Sequence, residues 1–279
     1  MRRLILGTVV LALLFAACAE ENGATTGSGG GSNQPAECDV ENPPTLEPGV
    51  LTVATDRPAY PPWFEGSPKH YSGFEGELAT EIADRMGLDI KWVVEPFNKS
   101  YAPGAKDFDF DINEISITPE REQAVDFSDG YFDNNQGILA PQGSPLTEAS
   151  SLGDLKQFQF GAQVGTTSLT FINSKIQPDE PAKVYDTTND AKSALQSGQI
   201  DALVTDVVTT VFLRDFEFKD TVVAGQYPTN EQFGMLFEQG NPLRDCINQV
   251  LAGIKEDGTL DSLQKEWLKD YLSVPTLTD

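Results

Sequence analysis

Residues 73–94 read GFEGELATEIADRMGLDIKWVV. Leu78, Ile82 and Met86 recur at four-residue intervals, which gives a helix one apolar stripe. Gly87 closes that helix, and Ile90 to Val94 follow as an apolar run of strand length. A helix that leads straight into a strand is half of a βαβ unit, so the fold class turns on whether the pattern repeats.

It repeats in both directions. GVLTVATD (49–56) reads as a buried strand with a turn after it, and FDFDINEI (108–115) as another strand. KQFQFGAQVGTTSLTFI (156–172) gives strand, loop and helix around Gly165, and AKVYDTTNDAKSALQSGQIDALVTDVVTTVFLRD (182–215) runs through the series again. Strands alternating with helices of about ten residues predict an α/β fold with mainly parallel sheets. At 279 residues and 39% hydrophobic, the chain can bury a core large enough for two lobes. Its formal charge of −24 excludes nucleic acid as a partner, because a polyanion would be repelled.

The first residues read as an export signal. Met1-Arg2-Arg3 is basic, and Leu4 to Ala17 is an apolar run too short to span a bilayer, which takes about 20 apolar residues. In LLFAACAEE, small residues precede Cys18, as in a lipoprotein cleavage box; Phe15 departs from the usual Leu, Val or Ile. Ordinary cleavage at Ala17-Cys18-Ala19 is the other reading. The expected organisation is a signal over 1–17 and a flexible linker over 18–48, with the lipid on Cys18. The Gly- and Ser-rich stretch AEENGATTGSGGGSNQPA (19–36) offers no large apolar side chain to bury, and such a coil holds a domain roughly 20–25 Å from a membrane.

Ligands of open α/β sheets sit where strand ends meet helix N-termini, since free N–H groups and the dipole favour negative charge there. Two junctions qualify. In NEISITPEREQAVDFSDGYF (113–132), Thr118 is a candidate N-cap with Pro119 at the first helical position, which places Arg121 in the first turn. At Gly165, a tight turn lets Thr166 and Thr167 open a helix, an arrangement that cradles a carboxylate or phosphate.

The segments LTVATD…YPPW, GFEGELATEIADRMG, SITPEREQAVDFSDGY, VGTT, ALQSGQIDALVTD and IKEDGTLDSLQKEWL follow one another in a known order. Over residues 49–272 the chain resembles the bacterial extracellular solute-binding proteins of the polar amino-acid class, family 3, the receptors of ABC importers. The resemblance implies a two-lobed periplasmic-binding-protein-like fold of type II, with two mainly parallel sheets joined by a two-strand hinge. Lobe 1 would comprise 49–137 and 233–279 and lobe 2 would comprise 138–232, with crossings near Gln136 to Pro141 and Gln232 to Phe237. By the same resemblance Arg121 pairs with a ligand α-carboxylate, Thr167 with Thr166 completes that cradle from lobe 2, Asp206 takes the α-ammonium, and Ser116 helps both. Asp56, Tyr60, Trp63, Phe97, Asn113 and Glu114 fall at or near positions that line the side-chain pocket of relatives. TDRPAYPPW carries one residue more between Asp56 and Tyr60 than many members, and NEIS puts Asn113 and Glu114 where small hydroxyl residues are usual.

The implied partners are a free amino acid, cationic or polar, an ABC permease, and a membrane reached through the lipid on Cys18. The protein is expected to be a monomer outside the cytoplasm, without cofactor or metal, its lone His70 lying in the loop-like SPKHYSG. Other readings stay open. Arg121 pairs with Glu120, Glu122 or Asp126 at a solvated face; Asp206 only caps a helix; Glu114 points to solvent by strand alternation. The same fold also hosts a periplasmic dehydratase acting on arogenate or prephenate, in which Glu114 is the proton shuttle, and ligand-binding sensors. Cys38 and Cys246 form a disulfide in an oxidising compartment, or Cys246 stays a buried thiol on the face it shares with Leu243, Ile247, Val250, Leu251 and Ile254.

Overall fold

The computed structural model describes residues 38–271 and 274–279. The signal, Cys18 and the first part of the linker lie outside the described residues. The last part of the linker, from Cys38 to residue 48, is fastened rather than free: Cys38 is disulfide-bonded to Cys246, with Cα atoms 5.0 Å apart, and the Leu46 amide donates to Asp109 Oδ1 at 2.8 Å.

The elements run β1 Val50–Thr55, β2 Glu65–Ser67, β3 His70–Ser72, α1 Phe74–Arg85, β4 Asp89–Val94, one-turn α2 Phe97–Ser100, β5 Phe110–Asp111, β6 Val125–Phe127 and β7 Phe132–Pro141. They continue with β8 Phe160–Gln163, α3 Thr167–Phe171, β9 Lys183–Tyr185, α4 Thr188–Gln196, β10 Ala202–Asp206, α5 Val207–Phe212, β11 Thr221–Phe233, β12 Leu236–Glu238, α6 Leu243–Glu256 and α7 Thr259–Trp267. The helix and strand read from 73–94 are both present, and β4 pairs parallel with β1 from Val50↔Asp89 to Thr55↔Val94. The strand expected over 108–115 is only two residues long, Phe110–Asp111, and the extended run cannot continue through Glu114, whose φ is 53. His70 lies on the β2–β3 hairpin rather than in a loop.

Two five-stranded sheets result, ordered β4-β1-β5-β12-β6 and β11-β7-β10-β8-β9. They are mixed: the parallel pairings are β1 with β4 and β5 in one sheet, and β8 with β9 and β10 in the other. The remaining pairings are antiparallel because the chain leaves the first lobe along β7 and returns along β11, so the strands next to those crossings run backwards.

The first core packs α1, α6 and α7 on the first sheet around Leu51, Val53, Leu78, Ile82, Phe237 and Ile247. In the second lobe alternate residues feed two cores. Ile138, Ala202 and Val204 face Phe160 and Ile172, whereas Leu139 and Leu203 face Leu195 and Val211, one set on each side of a sheet covered by helices.

β7 and β11 are the hinge, paired antiparallel from Phe132↔Phe233 to Pro141↔Thr221. Phe132 and Phe233 pack edge-on to Trp63 in the first core, at 5.1 and 5.5 Å between ring centroids, while Ile138 and Tyr227 belong to the second. The crossings therefore lie between Phe132 and Ile138 and between Tyr227 and Phe233, spans that overlap the N-terminal ends of the expected Gln136 to Pro141 and Gln232 to Phe237. The tail also departs from the expected lobe 1. Thr276 bridges Gln226, Thr278 bridges Ser151, and Leu277 is buried with the second core, so 274–279 belong to lobe 2. Short tails carry no periodicity by which a sequence could assign them.

Candidate functional site

Arg121 follows Thr118 and Pro119 in a single 3₁₀ turn, Arg121–Gln123, instead of the expected α-helix. Its amide still donates to Thr118 Oγ1 at 3.2 Å, so the capping residue anticipated from the sequence holds the turn. The side chain is only 8% exposed. Its Nη1 donates to the Ser116 carbonyl at 2.6 Å and its Nη2 to the Gly165 carbonyl at 3.0 Å. The rings of Phe97 and Tyr101 flank the guanidinium carbon at 5.4 and 5.1 Å. Burial pushes this guanidinium below its usual range, opposed by the charges of Tyr101, Glu231 and Asp206. No hydrogen bond or ion pair joins it to Glu120, Glu122 or Asp126. A buried cation with two backbone partners and donors to spare is poised for an anion.

The second junction meets it from the other lobe. Gly165 has φ 74, and a β-carbon there would sit 1.9 Å from the Tyr101 hydroxyl, so only glycine permits this approach. Thr166 caps α3: its Oγ1 accepts from the Leu169 amide at 3.1 Å and donates to the Gln163 carbonyl at 2.8 Å. Its hydroxyl is thereby committed, whereas Thr167 Oγ1 stands 3.4 Å from Ser116 Oγ.

Asp206 ends β10 at the cap position of α5 without capping it, and its Oδ1 accepts from Asn134 Nδ2 instead. Burial pushes its carboxyl up to about 7, with the Glu231 charge adding to the shift. Glu114, read as a pocket residue with a solvent-facing alternative, turns into the cleft from a left-handed backbone with φ 53. Its amide donates to Glu75 Oε1 at 2.8 Å, and its Oε2 accepts from Thr209 Oγ1 at 2.8 Å. Burial first, then the Asp206 and Glu75 charges, hold the Glu114 carboxyl well above the carboxylate range. Asp56 accepts the amides of Arg57 at 2.5 Å and Phe97 at 3.2 Å, and Lys192 of lobe 2 lies 5.1 Å from the Tyr60 ring.

All ten sequence-selected contact residues, Asp56, Tyr60, Phe97, Asn113, Glu114, Ser116, Arg121, Thr166, Thr167 and Asp206, line one cavity of about 70 Å³ between the lobes. Trp63 does not line it. It is fully buried behind the wall and donates to Thr209 Oγ1 at 3.1 Å. Other polar residues escaped the sequence reading. Thr209 lines the cavity from α5, with Gln163, Ser168, Thr188 and Thr205, and Gln136 and Glu231 lie on the two hinge strands beneath Ser116 and Thr167, hydrogen-bonded to them and to each other. Thr209 sits in an apolar helix and Glu231 in a stretch without a motif, so no local signal marks either. His70 is exposed on its hairpin, and no group of three metal-ligating side chains occurs among the described residues.

The pattern that defines the bacterial extracellular solute-binding proteins, family 3, matches residues 51–270. The chain is 34% identical over 203 residues to the ABC transporter glutamine-binding protein of Bacillus subtilis (strain 168), covering 71% of this chain and 73% of that one. Among solved structures, an ancestral arginine-binding protein bound to glutamine superposes with a TM-score of 0.70 at 30% identity, covering 79% of this chain and 98% of that one. An ancestral amino acid-binding protein described as a precursor of cyclohexadienyl dehydratase reaches 0.69, also at 30% identity, over 79% and 96%.

Proposed function

Because this chain belongs to the bacterial extracellular solute-binding proteins, family 3, and captures an amino acid for an ABC transporter, we propose that its cleft grips that amino acid by both charged ends. The observation that carries this reading is the pairing of a buried guanidinium from lobe 1 with a half-buried carboxylate from lobe 2 across one shared cavity. Arg121 takes the α-carboxylate through its planar fork, with Thr167 beside it, and Asp206 takes the α-ammonium, with Ser116 between the two. A zwitterion held from both sides favours the closed arrangement over the open one by its differential contacts, so the ligand shifts the lobes toward closure.

Asp56, Tyr60, Phe97, Asn113 and Glu114 surround the ligand's side chain, and their polarity favours a cationic or polar one. Burial and the neighbouring carboxylates favour the protonated form of Glu114, and a ligand ammonium or guanidinium beside it would favour the ionised one. We read the protein as a receptor rather than an enzyme, since the relatives reported above are binding proteins. It works outside the cytoplasm and hands its ligand to a membrane permease, and we propose that a lipid on Cys18 tethers it there as a monomer.

A thermal-shift screen of the mature protein against the proteinogenic amino acids tests the reading. A ligand at a hundred times its Kd raises stability by about 2.7 kcal/mol, which for a domain of this size lifts Tm by roughly 5–10 °C. A screen in which no amino acid moves Tm, while arogenate or prephenate is turned over, replaces the receptor with an enzyme.

A further inference from the structure

The floor of the cleft belongs to the hinge, and here we propose that Glu231 is a positioning residue: it sets the hydrogen-bond polarity of the two hydroxyls, Ser116 and Thr167, that face the amino acid's head group. This rests on the binding reading above.

Glu231 lies on β11 where the ladder to β7 slips between Pro228 and Glu231, and Asn230 before it has φ 56. A bulge of this kind re-aims the side chain that follows it, here toward the cleft floor. Both Glu231 oxygens accept. Ser116 Oγ donates to Oε2 at 2.9 Å, and Gln136 Nε2 lies 3.2 Å from each. A carboxylate has no proton to give back, so the single Ser116 proton is committed downward and its lone pairs face the ligand.

The same acceptor orients Gln136. Turning that amide over would set its oxygen against the Glu231 carboxylate, so Nε2 stays toward Glu231 and Oε1 receives the Ser168 hydroxyl at 2.6 Å. Gln136 Nε2 also lies 3.2 Å from Thr167 Oγ1, which therefore accepts from below and has its own proton for the cavity side, where a ligand carboxylate would compete for it with Ser116 Oγ at 3.4 Å. The two hydroxyls are thus polarised in opposite senses. Ser116 offers an acceptor, which an ammonium needs, and Thr167 offers a donor, which a carboxylate needs. Without Glu231 each hydroxyl turns freely, and the wrong orientation sets like against like. The Glu231 charge also acts on Asp206 and on Arg121, so it adds to the field that separates the ammonium seat from the carboxylate seat.

The test uses Glu231→Gln, which preserves shape, removes the charge and replaces one of the two acceptor oxygens with a donor, so that the Ser116 proton is no longer fixed in one direction. L-glutamine and L-arginine are the calorimetric probes, and Tm is followed in parallel. The expected result is a Kd weakened about 10-fold or more for whichever probe the wild type binds, the scale of one charged hydrogen bond, with Tm moved by no more than a few degrees. In a Ser116→Ala background, where no proton remains to direct, E231Q should cost less than about threefold, because contacting residues couple non-additively. The exchange Glu231→Gln with Gln136→Glu restores a carboxylate-amide brace across the hinge but turns Thr167 into a donor to the floor. It should recover Tm without recovering affinity. Recovery of affinity by that exchange, or an E231Q protein that binds within about threefold of wild type, overturns the proposal while the binding reading stands. A wild-type protein that binds neither probe nor any other amino acid overturns both.

Discussion

Replacing Arg121 by lysine keeps the charge and removes the fork. In the structure the two terminal guanidinium nitrogens already serve the Ser116 and Gly165 carbonyls at 2.6 and 3.0 Å, one partner in each lobe, and Arg121 lines the cavity with hydrogens to spare. A single ammonium cannot hold both carbonyls and a bidentate carboxylate at once, and it packs less well against the rings of Phe97 and Tyr101. The net loss is one to two charge-assisted bonds in a desolvated site, about 2–4 kcal/mol, or roughly 30- to 1000-fold in Kd. Ligand at a hundred times the wild-type Kd then stabilises R121K by less than about 1 kcal/mol, and the thermal shift falls from roughly 5–10 °C to below about 3 °C. The assay is calorimetry together with thermal shift, using the amino acid that moves wild-type Tm most. An R121K protein that retains its ligand within about threefold would falsify the assignment of Arg121 as the carboxylate partner.

Three other outcomes follow from the same geometry. Asp206 binds an ammonium only when ionised, and burial together with Glu231 holds its carboxyl near about 7 against the pull of Asn134 and Arg121. With Glu114 also facing it, affinity should weaken by up to about tenfold for each pH unit below 7, and Asp206→Asn should bind weakly at every pH; a flat wild-type profile from pH 5 to 8 refutes this. Asp111 is fully buried, takes the Ser100 hydroxyl on one oxygen and leaves the other unpaired, and burial raises its carboxyl from 3.8 to about 7. Since the fold accepts the protonated form, this stability is complete below about pH 4 and is lost as pH rises through 7, so Asp111→Asn should raise unliganded Tm at pH 8 and change it little at pH 4. Finally, the Cys38–Cys246 bond spans a sequence separation of 208, for which loop entropy gives an upper limit of about 5 kcal/mol. Replacing both cysteines by alanine should lower urea-unfolding stability by several kcal/mol without moving ligand affinity more than about twofold, since neither lines the cavity; a loss under about 1 kcal/mol contradicts it.

Much of the fold was legible because it rests on local periodicity. Leu78, Ile82 and Met86 repeat at the spacing of one helical face, and all three are buried in the first core where that spacing put them. Strands β1 and β4 and helices α4 and α6 announce themselves in the same way, each by a run long enough to show its period. Thr118 and Thr166 mark turns by capping chemistry that acts over three residues, so a short window suffices to find them.

What the sequence by itself determined, then, was the α/β class, the two strand-to-helix junctions and the residues clustered at them, since each depends on neighbours a few positions away. Tertiary structure alone decided which way Glu114 turns and that the tail joins the second core. It also decided that Glu231 and Thr209, 115 residues from Ser116 and 95 from Glu114, complete the cleft. Those outcomes hang on a left-handed backbone angle, a bulge and pairings between distant strands, and no short window of sequence contains both partners of a long-range contact.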